Sequence, residues 1–227
     1  MNKGRVVSIK RFFKTNVMKF EIPESLFGKG AEYKRKFNFS ELYRSYLYVP
    51  RAIRKLRQNK KEGLISQQFI ERMQLAVTEV NGCAACSYAH TTFALREGMS
   101  NEEISSFLAG ADDYIQPEEA KAIIFAQHFA DSRGYPEKDA YEAIIKEYGK
   151  EKARIILSAV QMMIAGNMFG IPFSAYQSRR KGKPFKDSHI GYELGMLVGG
   201  VLVLPIALLH ALLLWIVGKP NIRFAKT

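Results

Sequence analysis

Cysteine is scarce in this chain, with two in 227 residues, and histidine is little commoner, with four. A structural zinc site needs about four local ligands. No second Cys-x-x-Cys or paired histidine stands near the first to complete one, because His128, His189 and His210 are scattered far along the chain. Period-two alternation is also missing: nothing in the first 190 residues reads as a strand, which excludes a β or α/β framework. The N-terminal residues, Met-Asn-Lys-Gly-Arg-Val-Val-Ser-Ile-Lys-Arg-Phe-Phe-Lys, lack the apolar core of a secretory signal. Internal repeats and low-complexity tracts are absent. Acidic residues are in deficit, 22 against 34 Lys plus Arg, for a net charge of +12. No nucleic-acid-binding motif accompanies that excess, so nucleic acid is not an expected partner.

The two cysteines stand together. Residues 81–90 read Asn-Gly-Cys-Ala-Ala-Cys-Ser-Tyr-Ala-His, a Cys-x-x-Cys pair with a histidine four positions beyond it. On a helix, Cys83, Cys86 and His90 fall at i, i+3 and i+7 and share one face. A histidine one turn from a thiol takes its proton or stabilises its thiolate, the reactive form. Two thiols this close also close a disulfide. The competing reading is a pair of inert, packed cysteines. Attachment of c-type haem is excluded, since Ser87 occupies the position directly after Cys86 where that motif needs histidine. A thioredoxin-type site does not fit either, because its motif follows a strand. Here the flanks are helical: Ile65, Phe69, Met73, Val77 and Val80 recur at three- and four-residue steps upstream, and the cysteine segment runs on to Gly98. Asn81-Gly82 marks the entry of the second helix.

Twelve positions before Cys83 stands Glu71, which completes a Glu-x11-Cys-x2-Cys-x3-His pattern: Glu71, Cys83, Cys86, His90. With that pattern the chain resembles the alkylhydroperoxidase D-like branch of the carboxymuconolactone decarboxylase family, over roughly residues 66–176. The 154–160 and 167–172 segments resemble that family's closing helix and its exit. The resemblance implies an all-α alkylhydroperoxidase D-like helical bundle. It implies that Cys86 attacks a hydroperoxide and Cys83 resolves the product into a disulfide, with His90 and Glu71 as a proton relay. It also implies no bound cofactor, an external thiol reductant protein carrying a dihydrolipoyl group, and a trimer or hexamer. Some relatives carry a second histidine where this chain has Ala85. Helix physics adds a partly different preference, since Cys83 is nearer the helix N-terminus, whose dipole favours a thiolate. The positioned base decides for Cys86. By position alone Glu79, four residues before Cys83, competes with Glu71.

A second feature is an uncharged run of 24 residues from Leu194 to Val217. As a helix it measures about 36 Å, enough for a hydrocarbon core of roughly 30 Å. Tyr192 and Trp215 lie near its ends, and basic residues flank it: Arg179, Arg180, Lys181, Lys183 and Lys186 before, Lys219, Arg223 and Lys226 after. The heavier N-terminal flank predicts a single-pass transmembrane helix with the catalytic body cytoplasmic and the short tail across the membrane. Gly199, Gly200 and Pro205 leave a re-entrant hairpin open, and the soluble alternative is a helix buried in an oligomer core. Basic clusters beside such a segment attract anionic lipid headgroups.

The expected organisation is a basic N-terminal arm with short helices (1–62), a catalytic domain (63–178), a basic juxtamembrane linker (179–193), a transmembrane helix (194–217) and a tail (218–227). Within the catalytic domain, Ser100 and Glu103 read as a capping box. Pro117 and Pro136 precede further helices, and residues 150–169 form an apolar closing helix. Its Met162, Met163 and Met168 read as core or subunit packing. The function expected is a membrane-anchored thiol peroxidase reducing hydroperoxides, lipid ones by location. The alternatives are a non-enzymatic redox sensor or disulfide-switched interaction module, and, more remotely, lactone decarboxylation.

Overall fold

The computed structural model describes residues 32–226, so the first 31 residues of the expected basic N-terminal arm lie outside the described residues. Among these residues there are eight helices and no strand: α1 Phe39–Tyr46, α2 Val49–Glu62, α3 Gln67–Asn81, α4 Ala84–Arg96, α5 Asn101–Ala109, α6 Ala120–Asp131, α7 Lys138–Arg180 and α8 Ile190–Ile216. The all-α expectation stands.

Local chemistry sets the helix ends. Asn38 opens α1 with a reciprocal capping box: its Oδ1 accepts from the Glu41 N–H at 3.0 Å, and Glu41 Oε2 accepts from the Asn38 N–H at 2.7 Å. Ser66 caps α3, which ends at Gly82 in the left-handed region, φ 69°. Ser100 caps α5, but its expected partner Glu103 does not reach back; that carboxylate accepts from Arg72 at 2.7 Å instead. α7 is two helices joined at a kink, because Gly149 leaves helical geometry at φ 75°, ψ 161°. Its second part was expected to end near Phe169. It continues through Pro172 to Arg180, since Ile171, Pro172, Ser174 and Ala175 are all buried and packing outweighs the lost N–H.

The second half of α7 is the axis of the fold. α2, α3, α4 and α6 pack round it, with Ile155, Ile156, Val160, Met168 and Ile171 almost fully buried. Arg72 on α3 links Glu103 and Glu119 across this wall at 2.7 and 3.0 Å. Burial pushes the Glu119 carboxyl above its ordinary value although Arg72 opposes this.

Among the described residues, α7 and α8 are the two helices long and apolar enough to cross a membrane; α7 is mostly buried in the protein and α8 mostly is not. α8 is one continuous helix through Pro205, not a hairpin. It lies against α1 and α7 along a stripe of Glu193, Met196, Gly200, Ala207 and Ala211. The two glycines serve close approach rather than bending. A Cβ at Gly199 would lie 2.8 Å from the Phe39 ring, and one at Gly200 3.0 Å from Leu42. His210 is satisfied by the Tyr43 hydroxyl at 2.8 Å.

Both ends of α8 are tied to the bundle. Arg179, expected among the free basic flank, forks onto the buried Glu193 at 2.8 and 2.9 Å. The tail returns to the same body: Arg51 donates to the Lys219 carbonyl at 2.6 Å, Asn221 pairs with Gln161 at 3.0 Å, and the Ala225 N–H reaches the Pro136 carbonyl at 3.1 Å. The structure therefore differs from the expected arrangement of a body on one side and a tail on the other. α8 presents its other face outward, with Val201, Leu202, Leu209, Leu213 and Ile216 at least 60% exposed.

Candidate active site

The site forms where α3 and α4 meet α7. Gly82 ends α3, and Cys83 is the N-cap of α4 with extended backbone, φ −93°, ψ 99°. Cys83 is therefore not a helical residue, as the i, i+3, i+7 reading assumed. Its sulfur accepts from the Cys86 N–H at 3.2 Å, the place usually taken by a serine or aspartate oxygen. A second free amide of this terminus, that of Ala85, donates to Ser174 Oγ of α7 at 3.0 Å. The two sulfurs stand 2.20 Å apart, at disulfide distance.

α7 approaches this pair through Gly170. A Cβ there would lie 2.6 Å from the Cys83 sulfur and 2.7 Å from that of Cys86, closer than any side chain allows. Helical glycine costs about 1 kcal/mol relative to alanine, and here it makes room for two sulfurs. Sequence reasoning missed Gly170 and Ser174. The signal was a glycine inside an apolar helix, which usually marks close packing.

The two cysteines differ in access. Cys83 is fully buried, whereas Cys86 is 8% exposed and lines a cavity of about 330 Å³. Gln74, Ala89, His90, Met162 and Gly166 share that cavity. Met162 and the largely buried Met163 thus line it, while Met168 is buried in the core. Gln74 and Met162 were not singled out as site residues, because α3 and α7 come together there only in the tertiary fold.

His90 stands one turn after Cys86 on α4. Its Nδ1 lies 2.7 Å from Glu71 Oε2, a pairing 19 residues apart in sequence and largely buried, with 16% and 11% of the two side chains exposed. That contact fixes the ring and leaves Nε2 as its other nitrogen. Phe93 holds the imidazole edge-on, ring centroids 5.5 Å apart. Glu79 does not compete: Lys34 binds both its carboxylate and its carbonyl oxygen. The fold therefore pairs Glu71 with His90 and sets His90 and Cys86 on the wall of one cavity, with Cys83 behind. Chemically this is a buried dithiol/disulfide with one sulfur at a cavity and an oriented imidazole beside it.

The profile of the carboxymuconolactone decarboxylase family matches residues 48–128, a span beginning at the N-cap of α2 that holds Glu71, Cys83, Cys86 and His90. The uncharacterized protein YdfG of Bacillus subtilis (strain 168) is 25% identical over 114 residues, 49% of this chain and 77% of that protein. No solved structure matches the chain.

Proposed function

We propose that this chain, with its carboxymuconolactone decarboxylase family domain at residues 48–128, is a thiol peroxidase of the alkylhydroperoxidase D type. The observation that carries the reading is the asymmetry of the pair: Cys86 lines the cavity beside His90, and Cys83 does not. In the reduced protein, His90 accepts the Cys86 proton and the thiolate attacks the terminal oxygen of a hydroperoxide. The O–O bond breaks, Cys86 becomes a sulfenic acid, and the leaving alkoxide takes the proton back from His90 as an alcohol. Glu71 stabilises the imidazolium between these steps. Cys83 then attacks the Cys86 sulfur, the hydroxyl departs as water, and the disulfide forms. An external dithiol, of the dihydrolipoyl class, returns two electrons and two protons.

The protein works at a membrane surface in this reading. The outward face of α8 carries Val201, Leu202, Leu209, Leu213 and Ile216, each at least 60% exposed, and clustered exposed apolar side chains mark membrane or protein contact sites. Because both helix ends are tied to the bundle, this face lies along the bilayer rather than across it, and the substrates it favours are lipid hydroperoxides. Assembly as a trimer or hexamer belongs to the same proposal.

The test is peroxide consumption by the reduced, detergent-solubilised protein with dihydrolipoamide as donor, with thiols counted before and after. Many turnovers with reversible loss of two thiols support the peroxidase. Oxidation that stops after one equivalent rejects it in favour of a redox sensor.

A further inference from the structure

A larger cleft, of about 600 Å³, lies where the last turn of α8 and the returning tail meet α2 and α7. Its volume is that of a small-molecule site. The walls carry Arg51, Arg54, Lys55 and Arg154 against one carboxylate, Glu151. That carboxylate is already spoken for, by Lys55 at 2.5 Å and Arg154 at 2.8 Å. Arg54 stacks on the Trp215 ring at 5.0 Å, and no carboxylate lies within ion-pair distance of it or of Arg51 among the described residues. Arg51 is the telling group. Its one hydrogen bond goes to the Lys219 carbonyl, and its Nε is buried with no partner. Burial pulls this guanidinium below its ordinary value, with Tyr48 opposing. A buried donor without an acceptor costs about 1–3 kcal/mol, more when charged. Asn221 Oδ1, also on the wall, is a buried acceptor without a donor. The remaining lining is apolar, with Leu157, Trp215, Pro220 and Ile222.

The geometry points to a binding site for a phosphate ester with an apolar portion, its phosphate held by Arg51, Arg54 and Arg154 and a neighbouring hydroxyl by Asn221. Guanidinium forks match phosphate oxygens, and the cation excess exceeds what one carboxylate ligand would neutralise. The chemistry is shared by an anionic phospholipid headgroup and by a soluble phosphate ester. The first source rests on the membrane reading of α8, since the cleft opens at the end of its apolar face; the site itself is independent of the peroxide chemistry.

The chain has a single tryptophan, Trp215, so its emission reports on this cleft alone. The full chain in neutral detergent is titrated with inorganic phosphate and glycerol 3-phosphate. It is then floated with vesicles of phosphatidylcholine alone or mixed with phosphatidylglycerol. Arg54→Gln and Arg154→Gln, both at exposed positions, serve as variants, with helicity checked by circular dichroism. The expected result is a saturable change in emission, weakened about tenfold by either variant, the scale of one charge-assisted hydrogen bond. Preference for phosphatidylglycerol vesicles, lost in the variants, identifies the headgroup as the source. Saturable binding of the soluble esters without any vesicle binding keeps the site, assigns it to a soluble ester and removes the membrane reading. Unchanged emission together with equal binding to both vesicles overturns the site and leaves the membrane reading standing.

Discussion

Gly170 faces Cys83 so closely that a methyl group on it would sit 2.6 Å from the sulfur. Replacing it by alanine is the smallest change that tests how α7 contains the pair. Gly170→Ala should destabilise the protein by about 1–3 kcal/mol through overpacking, against a small gain in helix propensity. It should also slow disulfide closure. Thermal unfolding of the oxidised and reduced forms, with thiol counting after a peroxide pulse, checks both effects; a variant more stable than the parent would mean the two helices can move apart there.

The two cysteines should fail differently. Cys86→Ser should remove peroxide turnover entirely. Cys83→Ser should still react once and stop at a sulfenic acid on Cys86, which a dimedone adduct in mass spectrometry records. If the adduct forms on Cys83 in the Cys86→Ser protein, the roles are reversed.

His90→Asn should lower the rate with peroxide about 10²–10⁴-fold, the usual scale for a positioned general base. Glu71→Gln keeps a group of the same shape within reach of Nδ1 and should cost less. Stopped-flow rates over a range of pH separate the two, because the relay should reshape the profile while a packing defect should only scale it.

Acid should weaken the attachment of α1. Burial pushes the Glu41 carboxyl up, but hydrogen bonds from Arg133, at 2.5 and 2.9 Å, and from the Asn38 N–H outweigh it and hold the group below its ordinary value of 4.5. A carboxyl lowered by folding stabilises the protein above its unfolded value, and that stability is lost as pH falls. Denaturation midpoints should therefore drop as pH falls from about 4.5, and Glu41→Gln should flatten the dependence. An equally steep profile in the variant would place the acid sensitivity elsewhere.

Glutamate at Leu202 or Leu209, 70% and 65% exposed, should leave the fold intact and release the protein from membranes. Each change withdraws a side chain whose burial is worth about 1.5–3 kcal/mol. Flotation with vesicles checks this. If both variants still float but change their cross-linked oligomer, the face is covered by a second copy of the chain.

The residues that sequence reasoning reached share a feature: their relations run along one helix or between neighbours. Cys86 and His90 are one turn apart on α4, Ser100 announces a cap, and Pro136 precedes α7. Glu71 needed the family pattern, since spacing alone did not separate it from Glu79. Gly170, Ser174, Gln74 and Met162 were hidden because their importance depends on the register of α7 against α3 and α4, some 80 residues apart in the chain. The path of the tail was hidden for another reason. Residues 218–226 have no periodic pattern, and their hold on the body runs through single contacts such as Asn221 to Gln161. The length and hydropathy of α8 were plain, but not the stripe of Gly200, Ala207 and Ala211 that seats it on its neighbours.

The capping role of Cys83 bears on how little the backbone has to do. Its sulfur accepts the Cys86 N–H while bonded to Cys86, and a thiolate is a better acceptor than a bridging sulfur. The first turn of α4 therefore keeps its terminus satisfied whether the pair is joined or parted. In the proposed cycle the sulfurs exchange partners at a helix terminus whose capping contact serves either state, which confines the reorganisation to two side chains.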